Sequence, residues 1–149
     1  MATKQQIEQF LSGEPIAMAG VSRNPKKFGR VVYEELTRKG LTLLPVNPNI
    51  ESINGTVCYA DINHLPGEVK SLLIMTGKDQ TTKVIGDAIA KGIKNIWIQQ
   101  ASDTPEALAL LKGKDINVIS KECILMHYKP DGFHKFHRNI KRFFGGLPK

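Results

Sequence analysis

The residues with the clearest chemistry are Gly20-Val21-Ser22-Arg23-Asn24-Pro25-Lys26-Lys27-Phe28-Gly29. A glycine turn, a hydroxyl and three cations stand together there, after the apolar run Ile16-Ala17-Met18-Ala19. That order suits a phosphate group. The N–H groups at a helix N-terminus lack intrahelical partners and carry partial positive charge, so they attract anions. Arg23, Lys26 and Lys27 add full charges. The dinucleotide fingerprint G-x-G-x-x-G is absent, because the glycine after Gly20 is Gly29. No G-x-x-x-x-G-K-[ST] occurs either. A dinucleotide site of the usual kind also needs an acid at the end of its second strand to hold a ribose hydroxyl. The corresponding segment here is Leu44-Pro45-Val46-Asn47-Pro48, with no carboxylate. The reading is a phosphorylated nucleotide other than the default dinucleotide.

The elements that must position this turn alternate along the chain. Apolar runs at 16–20, 41–46, 71–76, 95–99 and 116–120 read as buried strands, with a short strand at 56–59 introduced by Asn54-Gly55. Helical spacing covers 29–39, 81–91 and 105–111. Gly40 and Gly92 stand as terminators, Asp103 or Thr104 as a cap and Pro105 as a first-turn residue. A further helix is expected at 4–11, on the outside. Continuous apolar strands separated by helices mean parallel βαβ units. The expected fold is therefore α/β: a Rossmann-like, doubly wound parallel sheet of about five strands in three α/β/α layers. Ligands of such sheets bind at the strand C-terminal ends, where strand order reverses. The candidate loops are 22–27, 47–50, 76–80 and 99–102.

A length of 149 residues fits one domain spanning 1–149. No apolar run approaches a membrane span, and the first residues lack the apolar core of a signal peptide. Cys58 and Cys123 stand far apart without CxxC spacing, which reads as two reduced thiols in a cytoplasmic protein. Both are expected to behave as small hydrophobes, not catalysts. The net charge of +7 is concentrated after residue 127, where Lys129, Lys135, Arg138, Lys141, Arg142 and Lys149 face Asp131 alone. That describes a basic tail, not a basic nucleic-acid surface. Phe133, Phe136, Ile140 and Phe143 or Phe144 form a stripe along it, so residues 127–149 read as a basic extension packed on the domain. Cys123, His127, His134 and His137 could be combined as metal ligands, but the docked helix is the preferred account and no metal is expected.

Five segments in order carry a resemblance. They are Gly20-Val21-Ser22-x-x-Pro25-x-Lys27-x-Gly29, then Pro45-Val46-Asn47-Pro48, then Gly55-x-x-x-Tyr59, then Gly92-Ile93-Lys94-x-x-Trp97-Ile98-Gln99, and Cys123-Ile124-Leu125-Met126. Over residues 14–126 the chain resembles the small CoA-binding proteins, which are similar to the N-terminal CoA-binding domain of the succinyl-CoA synthetase α subunit. The resemblance implies that Gly20, Ser22, Arg23, Asn24, Pro25 and Lys27 grip the CoA diphosphate. It implies that Val46, Asn47 and Pro48 lie beside the adenosine. Met75 and Thr76 would flank pantetheine, with Ile98, Gln99 and Gln100 near the thiol end. Relatives usually carry glycine in the place of Ala101 and proline soon after the strand that ends near Thr76. The implied function is binding of CoA or an acyl-CoA without catalysis of its own; the alternatives are an NAD(P)- or other nucleotide-binding protein, or a small acyl-CoA-processing enzyme. The implied partner is the small-molecule CoA ligand. Neither membrane nor nucleic acid is expected, and a protein partner or homo-oligomer stays open.

Overall fold

The computed structural model describes residues 2–129. Its elements, in chain order, are α1 (Lys4–Leu11), β1 (Ile16–Ala19), α2 (Phe28–Arg38), β2 (Leu43–Val46), β3 (Ser52–Ile53), β4 (Thr56–Val57), β5 (Ser71–Ile74), α3 (Lys78–Lys91), β6 (Asn95–Gln99), α4 (Pro105–Leu111) and β7 (Asn117–Glu122). Short 3-10 turns lie at Ile62–His64 and Ile124–Met126.

Five strands form one parallel sheet in the order β2-β1-β5-β6-β7. From β1 the chain winds outward to β2, then crosses back to β5 and proceeds to β7. Strand order thus reverses between β1 and β5. α1 and α2 cover one face, where Phe10, Val32, Tyr33 and Leu36 meet Met18, Leu73, Trp97 and Ile119. α3 and α4 cover the other, where Ile85, Ala88, Ala107 and Leu111 meet Ala17, Leu72, Ile74 and Ile96. Burial on both faces explains the unbroken apolar strands: every residue of β1 and β5 is buried. The expected three-layer α/β architecture is the observed one.

Local chemistry fixes the ends of the elements. Thr104, not Asp103, caps α4 by accepting from the Ala107 N–H at 3.0 Å, with Pro105 next in line. Gly92 closes α3 at φ 88°, where a glycine carries no Cβ penalty. α3 begins at Lys78, three residues before the expected start, with Gly77 as its N-cap.

The short strand expected at 56–59 takes a different form. Only Thr56 and Val57 pair, and they pair antiparallel with Ser52–Ile53, apart from the main sheet. Asn54 (φ 51°) and Gly55 (φ 83°) make the tight turn between them, both in the left-handed region that a two-residue hairpin demands. Tyr59 instead lies parallel to Val46, donating its N–H to the Pro45 carbonyl and accepting from the Asn47 N–H. β2 is a sheet edge, which is where a strand tolerates a proline such as Pro45.

Candidate functional site

Right-handed parallel winding puts the ends of β1, β2 and β5 on one edge, and a cleft of about 600 Å³ opens there, at the reversal of strand order. Gly20, Val46, Asn47, Pro48 and Thr76 line it, all of them expected from the sequence. Its other wall comes from Ala60 and Asp61 and from the first turns of α3, including Asp79, Lys83 and Asp87.

The β1–α2 turn is held by contacts that only glycine permits. Gly20 has φ 93°, and a Cβ there would come within 2.5 Å of the Met75 carbonyl carbon. A Cβ at Gly29 would come within 2.3 Å of the Gly20 carbonyl oxygen. The two glycines therefore let the start of α2 close on the ends of β1 and β5. The second glycine of this turn serves backbone packing, at a spacing the dinucleotide fingerprint does not contain.

Side chains fix the rest of the turn. Ser22 Oγ accepts from the Asn24 N–H at 3.0 Å and Asn24 Oδ1 from the Lys26 N–H at 2.9 Å. Asn47 Nδ2 donates to the Val21 carbonyl at 2.8 Å, while its Oδ1 accepts from the Asn49 N–H at 2.7 Å. Arg30 Nη1 donates to the carbonyls of Ser22, at 3.3 Å, and Arg23, at 3.1 Å. Among the described residues, the N–H groups of Ser22 and Arg23 have no protein acceptor. The N-cap of α2, Lys27, makes no side-chain cap bond, and Gly77 at the head of α3 makes none either. Arg23, Asn24, Pro25, Lys26 and Lys27 are all exposed.

The β6 end is built differently. Met75 is half-buried against the core on the α2 side. Thr76 is buried, its hydroxyl 2.8 Å from that of Thr81, which also donates to the Ser102 carbonyl at 2.7 Å. Ile98 is wholly buried among the side chains under α3 and α4. Gln99 is 1% exposed and accepts from the Ile124 N–H through Oε1, with Nε2 unpartnered among the described residues. Gln100 donates its N–H to the Glu122 carbonyl. The structure does not bring Ile98, Gln99 or Gln100 to the cleft: Ile98 and Gln99 are buried on the strand β6, and the Gln100 N–H goes to Glu122. Ala101, the position at which the resemblance implies glycine, has φ 78°.

Neither cysteine has the setting of a nucleophile. Cys58 and Cys123 are free and buried, and burial pushes both thiols up from their ordinary value. His127 lies against Trp97 and bonds to Glu122 at 3.1 Å. His134 and His137, the other members of the imagined metal set, and all of the basic extension after Lys129 lie outside the described residues.

Sequence reasoning passed over two residues at this edge. Asp61 reaches the cleft because the Val46–Tyr59 bridge carries the following residues to the end of β2. Its carboxyl is held below its usual range by a hydrogen bond from His64. The quoted Gly55-x-x-x-Tyr59 spacing was the available signal. Arg30 showed only its i,i+4 spacing to Glu34, since its contacts to the turn are made to backbone carbonyls. Among the described residues, no helix is long and apolar enough to cross a membrane.

Comparison with known proteins agrees with this geometry. The chain is 30% identical to the α subunit of ADP-forming acetate–CoA ligase II from Pyrococcus furiosus, over 93% of this chain and 31% of that subunit. It thus spans about a third of that relative's length. An uncharacterized protein of Bacillus subtilis is 25% identical over 82% of this chain and 91% of its own length. The solved structure of a conserved hypothetical protein from Pyrococcus furiosus superposes with a TM-score of 0.71 at 31% identity, covering 74% of this chain and 96% of that one. The sequence pattern of the CoA binding domain matches residues 14–129, the span that holds the whole sheet and the cleft at its reversal. With the turn, the cleft and the sheet order all inside that span, the chain belongs to the CoA binding domain family.

Proposed function

We propose that the cleft binds CoA or an acyl-CoA, with the diphosphate on the β1–α2 turn and the adenosine along Val46, Asn47 and Pro48. The observation that carries this reading is the pair of N–H groups on Ser22 and Arg23 that have no protein acceptor among the described residues, close before the N-cap Lys27 of α2. Such a donor set fits a diphosphate. Exposed Arg23, Lys26 and Lys27 supply the countercharge, and Lys27, at the head of the helix, is assigned to a phosphate oxygen. The opposite wall carries Asp61, Asp79 and Asp87 against Lys83, which is itself paired with Asp87 at 2.8 Å. That wall repels phosphate and leaves the turn as its seat. Pantetheine would then leave the cleft past Met75 and Thr76. The role is a grip without chemistry of its own, and the two buried thiols with raised pKa support that part.

Calorimetric titration with CoA and with dephospho-CoA tests it. Saturable heat with CoA is the expected result. Tighter binding of CoA than of dephospho-CoA would assign a contact to the 3′-phosphate, and equal binding would leave recognition to the diphosphate. No heat with either, at concentrations that reveal a micromolar site, overturns the proposal.

A further inference from the structure

We infer that Arg30 is the positioning residue of the phosphate turn and that the tip of the β3–β4 hairpin is its brace. The inference rests on the reading of the cleft as a nucleotide site and names the device that keeps that site open.

Arg30 is a helix residue whose side chain is 12% exposed, and it is committed to the protein throughout. Nε donates to Glu34 Oε2 at 2.8 Å and Nη1 to the carbonyls of Ser22 and Arg23. Nη2 donates to Asn54 Oδ1 at 3.4 Å, and Asn54 Nδ2 donates in turn to the same Glu34 oxygen at 3.3 Å. The guanidinium is thus clamped between α2 and the hairpin tip, with its third side against the turn. A trans peptide places its C=O and N–H on opposite sides. Drawing the Ser22 carbonyl toward Arg30 therefore turns the Arg23 N–H away from it. Asn47 does the same one peptide earlier, drawing the Val21 carbonyl and turning the Ser22 N–H away. The unpartnered donors of the turn are consequences of where these carbonyls are tied. Without Arg30, the peptide at 22–23 is free to rotate and offer a carbonyl oxygen to a phosphate. A lysine does not substitute, because a single ammonium on a flexible stem cannot hold carboxylate, amide and carbonyls in one planar fork.

The test compares ligands with and without phosphate. Affinities of the wild-type chain, Arg30→Gln, Arg30→Lys and Asn54→Ala are measured for CoA and ADP by calorimetry. Adenosine is followed by ligand-observed NMR. Arg30→Gln is expected to weaken CoA and ADP about tenfold while leaving adenosine nearly unchanged. Arg30→Lys keeps the charge and should lose nearly as much. Asn54→Ala, at an exposed hairpin tip, should show a smaller loss with the same selectivity for phosphate. Equal loss for ADP and adenosine would reduce Arg30 to a structural residue, and full affinity in Arg30→Lys would reduce it to a distant charge. Either overturns the inference. A wild-type chain that takes neither CoA nor ADP overturns the underlying reading instead, so the two failures are told apart.

Discussion

The β1–α2 turn and the β6–α4 turn stand on the same edge of one sheet and dispose of their backbone groups in opposite ways. At the first, side chains tie up the carbonyls of Val21, Ser22 and Arg23, and the N–H groups of Ser22 and Arg23 keep no protein partner among the described residues. At the second, the N–H groups of Gln100 and Ser102 go to Glu122 and Gln99, and the Ser102 carbonyl takes the Thr81 hydroxyl. Gln99 is spent on Ile124 and Ala101 is held in a left-handed conformation. The first turn is a surface of donors. The second gives two of its N–H groups to the protein. The carbonyls of the first turn are held from behind by Asn47 and Arg30, which leaves its N–H groups outward.

The comparison breaks most easily at Gly20. Gly20→Ala places a Cβ against the Met75 backbone in a left-handed conformation, and neither backbone strand can retreat. A loss of about 3 kcal/mol of stability is expected, read by denaturant unfolding, with CoA binding abolished in what remains folded. Lys27→Ala leaves the fold intact and probes the donor surface directly. CoA affinity is expected to fall about tenfold, roughly 1.4 kcal/mol. Unchanged affinity would move Lys27 to the solvent and leave the turn's backbone to act alone. The smallest effect belongs to the β6–α4 turn. Ala101→Gly removes a left-handed alanine and is expected to stabilise the chain by about 0.5–1 kcal/mol, seen as a higher thermal midpoint. CoA affinity should stay the same, since the Gln100 and Ser102 N–H groups of the second turn are already taken by Glu122 and Gln99. A large gain in affinity would show that the two turns share the ligand's charged end.

Much of the fold could be read from local pattern. The helices at 4–11 and 105–111 and the strand at 95–99 have the bounds expected, because caps and apolar period act within a few residues. The glycine turn was equally legible as a strand, a tight bend and a helix start. What pattern could not show was which way its peptides face. That depends on Asn47, twenty-six residues beyond the carbonyl it holds, and on Arg30, whose fork also reaches Asn54. Asp61 was hidden for a related reason, since one bridge at the edge of β2 brings it to the cleft. At the β6 end the strand expected at 95–99 is observed; the resemblance had drawn Ile98 toward a ligand, and both the resemblance and the sheet-edge rule had drawn Gln99 there. The left-handed Ala101 falls where that same resemblance had flagged a departure from glycine.

The hydroxyl pair behind Thr76 sets a polarity rule for anything that passes it. A carbonyl can only accept, so the 2.7 Å contact from Thr81 to Ser102 uses the Thr81 proton. Thr81 must then accept from Thr76 across their 2.8 Å separation, and Thr76 has no proton left to give. In this cleft-lining residue the hydroxyl then has only oxygen lone pairs to offer. An amide N–H of a ligand chain is welcome at that point, whereas an oxygen brought there meets another oxygen.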